Sequence, residues 1–154
     1  MAVAVAAAAA ACGTNLDFNC SMNVTVNSGA PATMSCLAAG ATTPGIGNAV
    51  TISMNGPSSG IQTAQFAMTL PSPPSVRTYG AADVSAAFGQ VQTSTGAVYS
   101  QSSAGSLGSF SVTLTGVSAA SGNGGTAYFL HGTATVTLSG QSPAPGTATI
   151  TATF

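Results

Sequence analysis

The sequence predicts an all-β protein: an antiparallel β-sandwich of about seven to nine short strands. Three observations lead there. Apolar and hydroxyl-bearing residues alternate with period two through the C-terminal third, which sends successive side chains to opposite faces of a strand. Clusters of Gly, Pro, Asn and Ser interrupt the chain at short intervals and mark turns. The polar residues are almost all Ser, Thr, Asn and Gln, with no Lys, no Glu and no Trp.

Taken in order, the strands expected are residues 22–26, 49–54, 61–70, 76–79, 97–99 and 109–115, followed by two longer ones at the C-terminal end. In the segment 109–115, Phe110, Val112 and Leu114 form the apolar set. From Tyr128 onward, Leu130, Ala134, Val136 and Leu138 share one face, and His131, Thr133, Thr135 and Thr137 share the other. The last strand repeats the pattern, with Ala148, Ile150, Ala152 and Phe154 set against Thr147, Thr149, Thr151 and Thr153. Gly140, Pro143, Pro145 and Gly146 make the connection between these two a loop, so the pair is a hairpin. Asn55-Gly56-Pro57, Pro71-Ser72-Pro73-Pro74 and the Gly-rich stretch around Asn123 separate the others. Residues 81–88 are expected as one short helix, because Ala is the best helix former and Gly89 follows as a cap. Residues 93–108, rich in Ser and Gly, read mainly as loop.

A chain of 154 residues fits one domain and buries roughly two-thirds of its surface on folding. Its 45% apolar content is enough for a core, and charged residues make up only 2%, against about 25% in an ordinary globular domain. Asp17, Arg77 and Asp83 are the charged side chains, His131 is the one imidazole, and the net charge is −1. No basic patch exists, so phosphate neutralisation cannot drive nucleic-acid binding. A net charge near zero also removes self-repulsion and favours association.

The chain opens MAVAVAAAAAAC. This run is too short to span a bilayer, which takes about 20 apolar residues, but it has the form of a secretory h-region with small residues before a cut site. Ala9-Ala10-Ala11-Cys12 resembles a bacterial lipobox, and the chain is similar in texture to Gly/Ser/Thr-rich secreted bacterial lipoproteins. The resemblance implies lipidation at Cys12, a membrane partner reached through that anchor, and a place in the bacterial cell envelope or at the cell surface. Ala9 stands where a larger residue such as Leu is usual, and no positive charge precedes the run. The expected organisation is a signal-like segment over 1–12, a tether over 13–21 and one β domain over 22–154.

With Cys12 acylated, Cys20 and Cys36 remain as an even pair, which an oxidising envelope lets bridge. A metal site built from three Cys and His131 has none of the close C-x₂-C spacing that zinc sites show, so no metal and no cofactor is expected. Catalysis is not expected either. His131 falls on a Thr-bearing strand face, no G-x-S-x-G elbow is present, and a two-carboxylate mechanism would need Asp17 from the tether together with Asp83. Arg77 and Asp83 flank one loop as a surface pair.

The leading expectation is therefore an exported, lipid-anchored envelope β-sandwich with a structural or binding role. The alternative is a self-assembling filament, pilus or surface-layer subunit that associates through sheet edges, its Ala-rich arm adding as a strand to a neighbour. A further alternative is a small outer-membrane β-barrel, suggested by the terminal Phe154 but short of aromatic girdles, with six Phe and three Tyr in all. A carbohydrate- or ice-binding module is also considered. Two paired Thr rows would form an array resembling those of ice-binding proteins, although Thr is also a strong strand former in its own right. Glycan binding would need exposed aromatics, drawn from Tyr79, Tyr99, Tyr128 and a few Phe.

Overall fold

A computed structural model describes residues 15–43, 47–54, 58–101, 109–122 and 125–154. The strands are β1 (Asn15–Val26), β2 (Ala32–Thr43), β3 (Gly47–Met54), β4 (Ile61–Leu70), β5 (Thr78–Gly80), β6 (Ala86–Thr93), β7 (Val98–Gln101), β8 (Ser109–Gly122), β9 (Gly125–Ser139) and β10 (Thr147–Thr153). They form a continuous antiparallel ladder in the order β5-β8-β9-β10-β1-β2-β3-β4-β6-β7. The ladder folds over into two facing layers, of six and four strands, giving an all-β sandwich.

One face of the ladder is the core. Met22 and Val24 of β1 are buried, as are Phe66, Met68 and Leu70 of β4 and Val112 and Leu114 of β8. Ala134, Val136 and Leu138 of β9 face Ala152, Ile150 and Ala148 of β10 in register. Their neighbours along each strand point away from the core, which is the pattern period-two alternation requires. Fully burying one such Val, Leu, Ile or Phe side chain stabilises the fold by about 1.5–3 kcal/mol relative to leaving it exposed.

The β7 end of the ladder is drawn back onto β9 and its following loop. Tyr99 bridges Gly140, and the Gln141 amide donates to the Val98 carbonyl at 2.8 Å. The layers touch closely where Gly89 of β6 meets Leu138 of β9; a Cβ at Gly89 would collide with the Leu138 side chain. Asn27 and Ser28 carry positive φ, 51° and 59°, and the Gly29 amide returns to the Val26 carbonyl. Asn27 and Ser28 are thus the central residues of a tight turn, of the kind that Asn tolerates, at the start of the five-residue connection between β1 and β2.

Four expectations are corrected. The expected helix over 81–88 is a single 3-10 turn at Ala81–Asp83, and β6 starts at Ala86. Gly89 is an interior strand residue there, not a helix cap. Residues 15–21, expected in the tether, belong to β1, which pairs with β2 over 15–17 and again from Cys20, with an irregularity between, and with β10 from Ser21. Two strands, β2 and β6, lie where none was expected, bringing the described total to ten. The signal-like segment over 1–12, with its lipidation candidate Cys12, lies outside the described residues.

Candidate functional site

Cys20 and Cys36 stand directly opposite each other on β1 and β2 and form a disulfide with their Cα atoms 4.9 Å apart. Both are buried. The bond takes these two thiols out of any metal site, since thiolates are the ligating form. Among the described residues, no group of three His, Cys, Asp or Glu gathers in one place.

The ionisable residues are dispersed or engaged. Asp17 sits on β1 opposite Ala38. Arg77 and Asp83 pair at 3.2 Å as the surface pair expected, partly exposed on both sides. Asp83 also accepts from the Gly80 amide at 2.8 Å. The Arg77 guanidinium lies 4.3 Å from the centre of the Tyr79 ring. The Tyr79 hydroxyl accepts from the Ser75 amide at 2.7 Å and donates to the Ser75 carbonyl at 2.9 Å. Burial pushes the pKa of this phenol up, but the Ser75 hydrogen bonds and the adjacent guanidinium outweigh it and hold the pKa below its ordinary value. The Arg77 pKa is raised, chiefly by its contact with Tyr79 and then by Asp83. The cluster fastens β5 and its flanking loop.

The outer face of the larger run of strands is different. Registers across β5, β8, β9, β10, β1 and β2 align uncharged polar residues, all but Asn23 hydroxyl-bearing, into cross-strand rows. The first row runs Thr78, Thr113, Thr133, Thr153, Ser21 and Ser35. Beside it, a second runs Ser111, Thr135, Thr151, Asn23 and Thr33. Ser109, Thr137, Thr149 and Thr25 make the third. Neighbouring strands stand about 4.8 Å apart, and alternate residues along one strand about 6.7 Å apart, so the rows form a two-dimensional grid. No residue in these rows is ionisable.

Several hydroxyls bond to each other across strands. Thr78 meets Thr113 at 2.9 Å, Ser109 meets Thr137 at 2.7 Å, and Thr137 meets Thr149 at 3.1 Å. The Thr33 hydroxyl donates to the Asn23 side-chain oxygen at 2.6 Å. His131 is exposed on β9 beside this grid, as its parity with Thr133 predicts. Phe129 shares its face and is 40% exposed. Tyr79 and Tyr99, considered above as stacking rings, are buried instead.

The Thr rows of β9 and β10 were readable from alternation alone. The contributions of β1, β2 and β8 were not assembled, although the alternation Met22-Asn23-Val24-Thr25 carries the same signal. In comparisons with protein-family models, curated proteins and solved structures, nothing matched the chain.

Proposed function

We propose that the chain is an exported, non-catalytic β-sandwich of the bacterial cell envelope, held to a membrane by a lipid on Cys12, with a structural or binding role. One observation carries the reading: the Cys20–Cys36 disulfide in the core. Structural disulfides form and persist in oxidising compartments and are rare in the cytosol. With that pair joined, Cys12 is the one cysteine left over, and it follows the small-residue run of the lipobox-like segment. The Arg77–Asp83 pair, engaged with Tyr79 and Gly80, supports a role without acid-base chemistry.

The test is the intact mass of the native protein from source membranes, with and without reduction. A chain beginning at Cys12 with added acyl groups is expected, gaining two hydrogens on reduction. An unmodified full-length mass overturns the anchor.

A second reading, a self-assembling subunit, draws on one feature of β8. Only residues 111–113 of its outer edge pair with β5, while its stretch from Gly116 to Gly122 pairs with β9 alone among the described residues. An uncharged strand edge of this kind is a template for another chain. Concentration-dependent fibres by electron microscopy would support it, and a monomer at high concentration would count against it. The outer-membrane barrel reading finds no support in the polarity of the described strands: apolar side chains fill the interior and hydroxyls face outward, the reverse of a lipid-facing barrel.

A further inference from the structure

We propose that the Cys20–Cys36 bridge is a load-bearing clamp: it takes tension that enters through the Cys12 anchor off β1 and passes it to β2. The inference rests on the anchored reading above, because the anchor is what supplies the tension.

The position of the bridge in the ladder carries the argument. Cys12 lies just ahead of Asn15, the first residue of β1. A domain held at one point feels any pull on it at that point, so tension reaches the fold at the N-terminal end of β1. That end is the weakest stretch of the strand. Over residues 15–17, β1 pairs with β2 alone among the described strands. The register then slips. Between Asp17 opposite Ala38 and Cys20 opposite Cys36, β1 has two residues, Phe18 and Asn19, where β2 has one, Leu37. An extra residue of this kind leaves the ladder locally disrupted. From Ser21 onward β1 is paired on both sides, with β2 and with β10.

Cys20 stands at the boundary between the two stretches. A strand pulled from its end gives way one pair at a time, and each ladder hydrogen bond stabilises only modestly. Peeling that has passed residues 15–17 and the irregularity meets a covalent bond at the next pair. Strand β2 is placed to take the load from there. Cys36 pairs with Met54 on its other side, and the β2–β3 ladder continues from it to Thr43 opposite Gly47. The bridge hands tension from a strand end held on one side to a residue held on both. Met22 and Met34 are another opposed, buried pair in the same hairpin. A bridge there would also cross-link the chain, but it would leave residues 20 and 21 free to peel.

The experiment is single-molecule unfolding of the full chain at constant force, in two pulling geometries. In the first, handles are attached at Cys12 and at Ser94→Cys in the exposed β6–β7 turn, so the load enters through β1. In the second, the chain carries Cys12→Ser and Ser94→Cys, with a cysteine added after Phe154, so β10 is the strand that peels. The bridge ties β10 to neither of its neighbours. Handles are coupled while the bridge is oxidised. Each chain is then measured before and after a dithiol reduces it, which puts one hydrogen on each sulfur and leaves the reductant as its own disulfide.

Forced unfolding reads the unfolding rate. Reduction should speed it at least about tenfold more in the first geometry than in the second, the factor that 1.4 kcal/mol makes. Cys20→Ala with Cys36→Ala, checked for folding by circular dichroism, should match the reduced chain with no reductant present. Equal acceleration in both geometries is the mark of a cross-link that stabilises without regard to direction, and it overturns the clamp. So does no acceleration in the first geometry, or a folded double variant as slow as the oxidised chain. Each of these results leaves the anchor untouched. An unmodified Cys12 in the native protein overturns the anchor instead, and the clamp then has no load to bear.

Discussion

At the β5 corner, a three-residue strand is held to β8 by the buried Tyr79 ring, its hydroxyl locked to Ser75 and the Arg77–Asp83 pair above it. At the β7 seam the work is spread over uncharged hydrogen bonds. Thr147 donates its amide to the Asn27 side-chain oxygen at 3.0 Å, and Asn27 donates to the Tyr99 hydroxyl at 3.3 Å. The Gln141 side chain donates to the Ser100 carbonyl at 2.9 Å. The corner has few ladder bonds of its own and concentrates its stability in one large side chain. The seam is flanked by longer strands and distributes it. Charge enters the described structure as an ion pair only where the ladder is shortest.

Mutation can break this contrast, most strongly at the corner. Tyr79→Ala removes a ring that is 1% exposed and should cost about 3–5 kcal/mol, as large-to-small core substitutions of aromatics do. Urea unfolding measures it, and a loss below about 1 kcal/mol would mean the ring does not hold the corner. Next in size is the disulfide. Replacing Cys20 and Cys36 together by Ala should cost about 3 kcal/mol on the chain-entropy account. Because the bridge spans the hairpin that carries the Asn27 turn, amide exchange should rise at the seam before it rises at the corner.

A smaller effect is expected at Asn27. Asn27→Ala loses the acceptor for the Thr147 amide and places Ala at positive φ, for about 1–2 kcal/mol in thermal or urea unfolding. Asn27→Gly relieves the backbone strain, so the difference between the two variants separates the turn from its hydrogen bonds. The smallest effect belongs to Arg77→Gln. Its pair is exposed, so the loss should stay below about 1 kcal/mol and shrink further in 1 M salt. Seam variants should show no such salt dependence. If Arg77→Gln proves the costlier of the two, the assignment of roles to corner and seam is reversed.

Much of this architecture was legible in particular residues. Strand β4 occupies the residues expected, and the β9–β10 hairpin and its Gly/Pro loop follow the alternation from Tyr128 to Phe154. With Cys12 set aside as the lipidation candidate, Cys20 and Cys36 were left as the expected pair, and these two are bridged. Strand β2 was hidden because Ala32–Thr43 is rich in Ala and has no β-branched apolar residue; it is a strand because β1 and β3 pair with it on either side. Strand β6 was hidden for a related reason. Ala86, Ala87 and Gly89 look like the end of a helix, yet the small residue at 89 is needed where Leu138 crosses from the other layer. Of the hydroxyl face, the β9 and β10 rows were visible, but their extension through Asn23, Thr33 and Ser111 was not.

By itself the sequence determined the all-β class, the chemistry of each strand's two faces and the near absence of charge. These depend on local periodicity and on counting, which need no knowledge of distant partners. The tertiary structure decided which strands lie side by side, that three hydroxyl rows meet in register, that Tyr79 and Tyr99 are buried while Phe129 is exposed, and that Gly89 belongs to the core. Those outcomes depend on contacts between residues far apart in the chain. A one-residue change of register would turn every side chain of a strand to its other face, and only packing of the two layers selects among the registers that alternation allows.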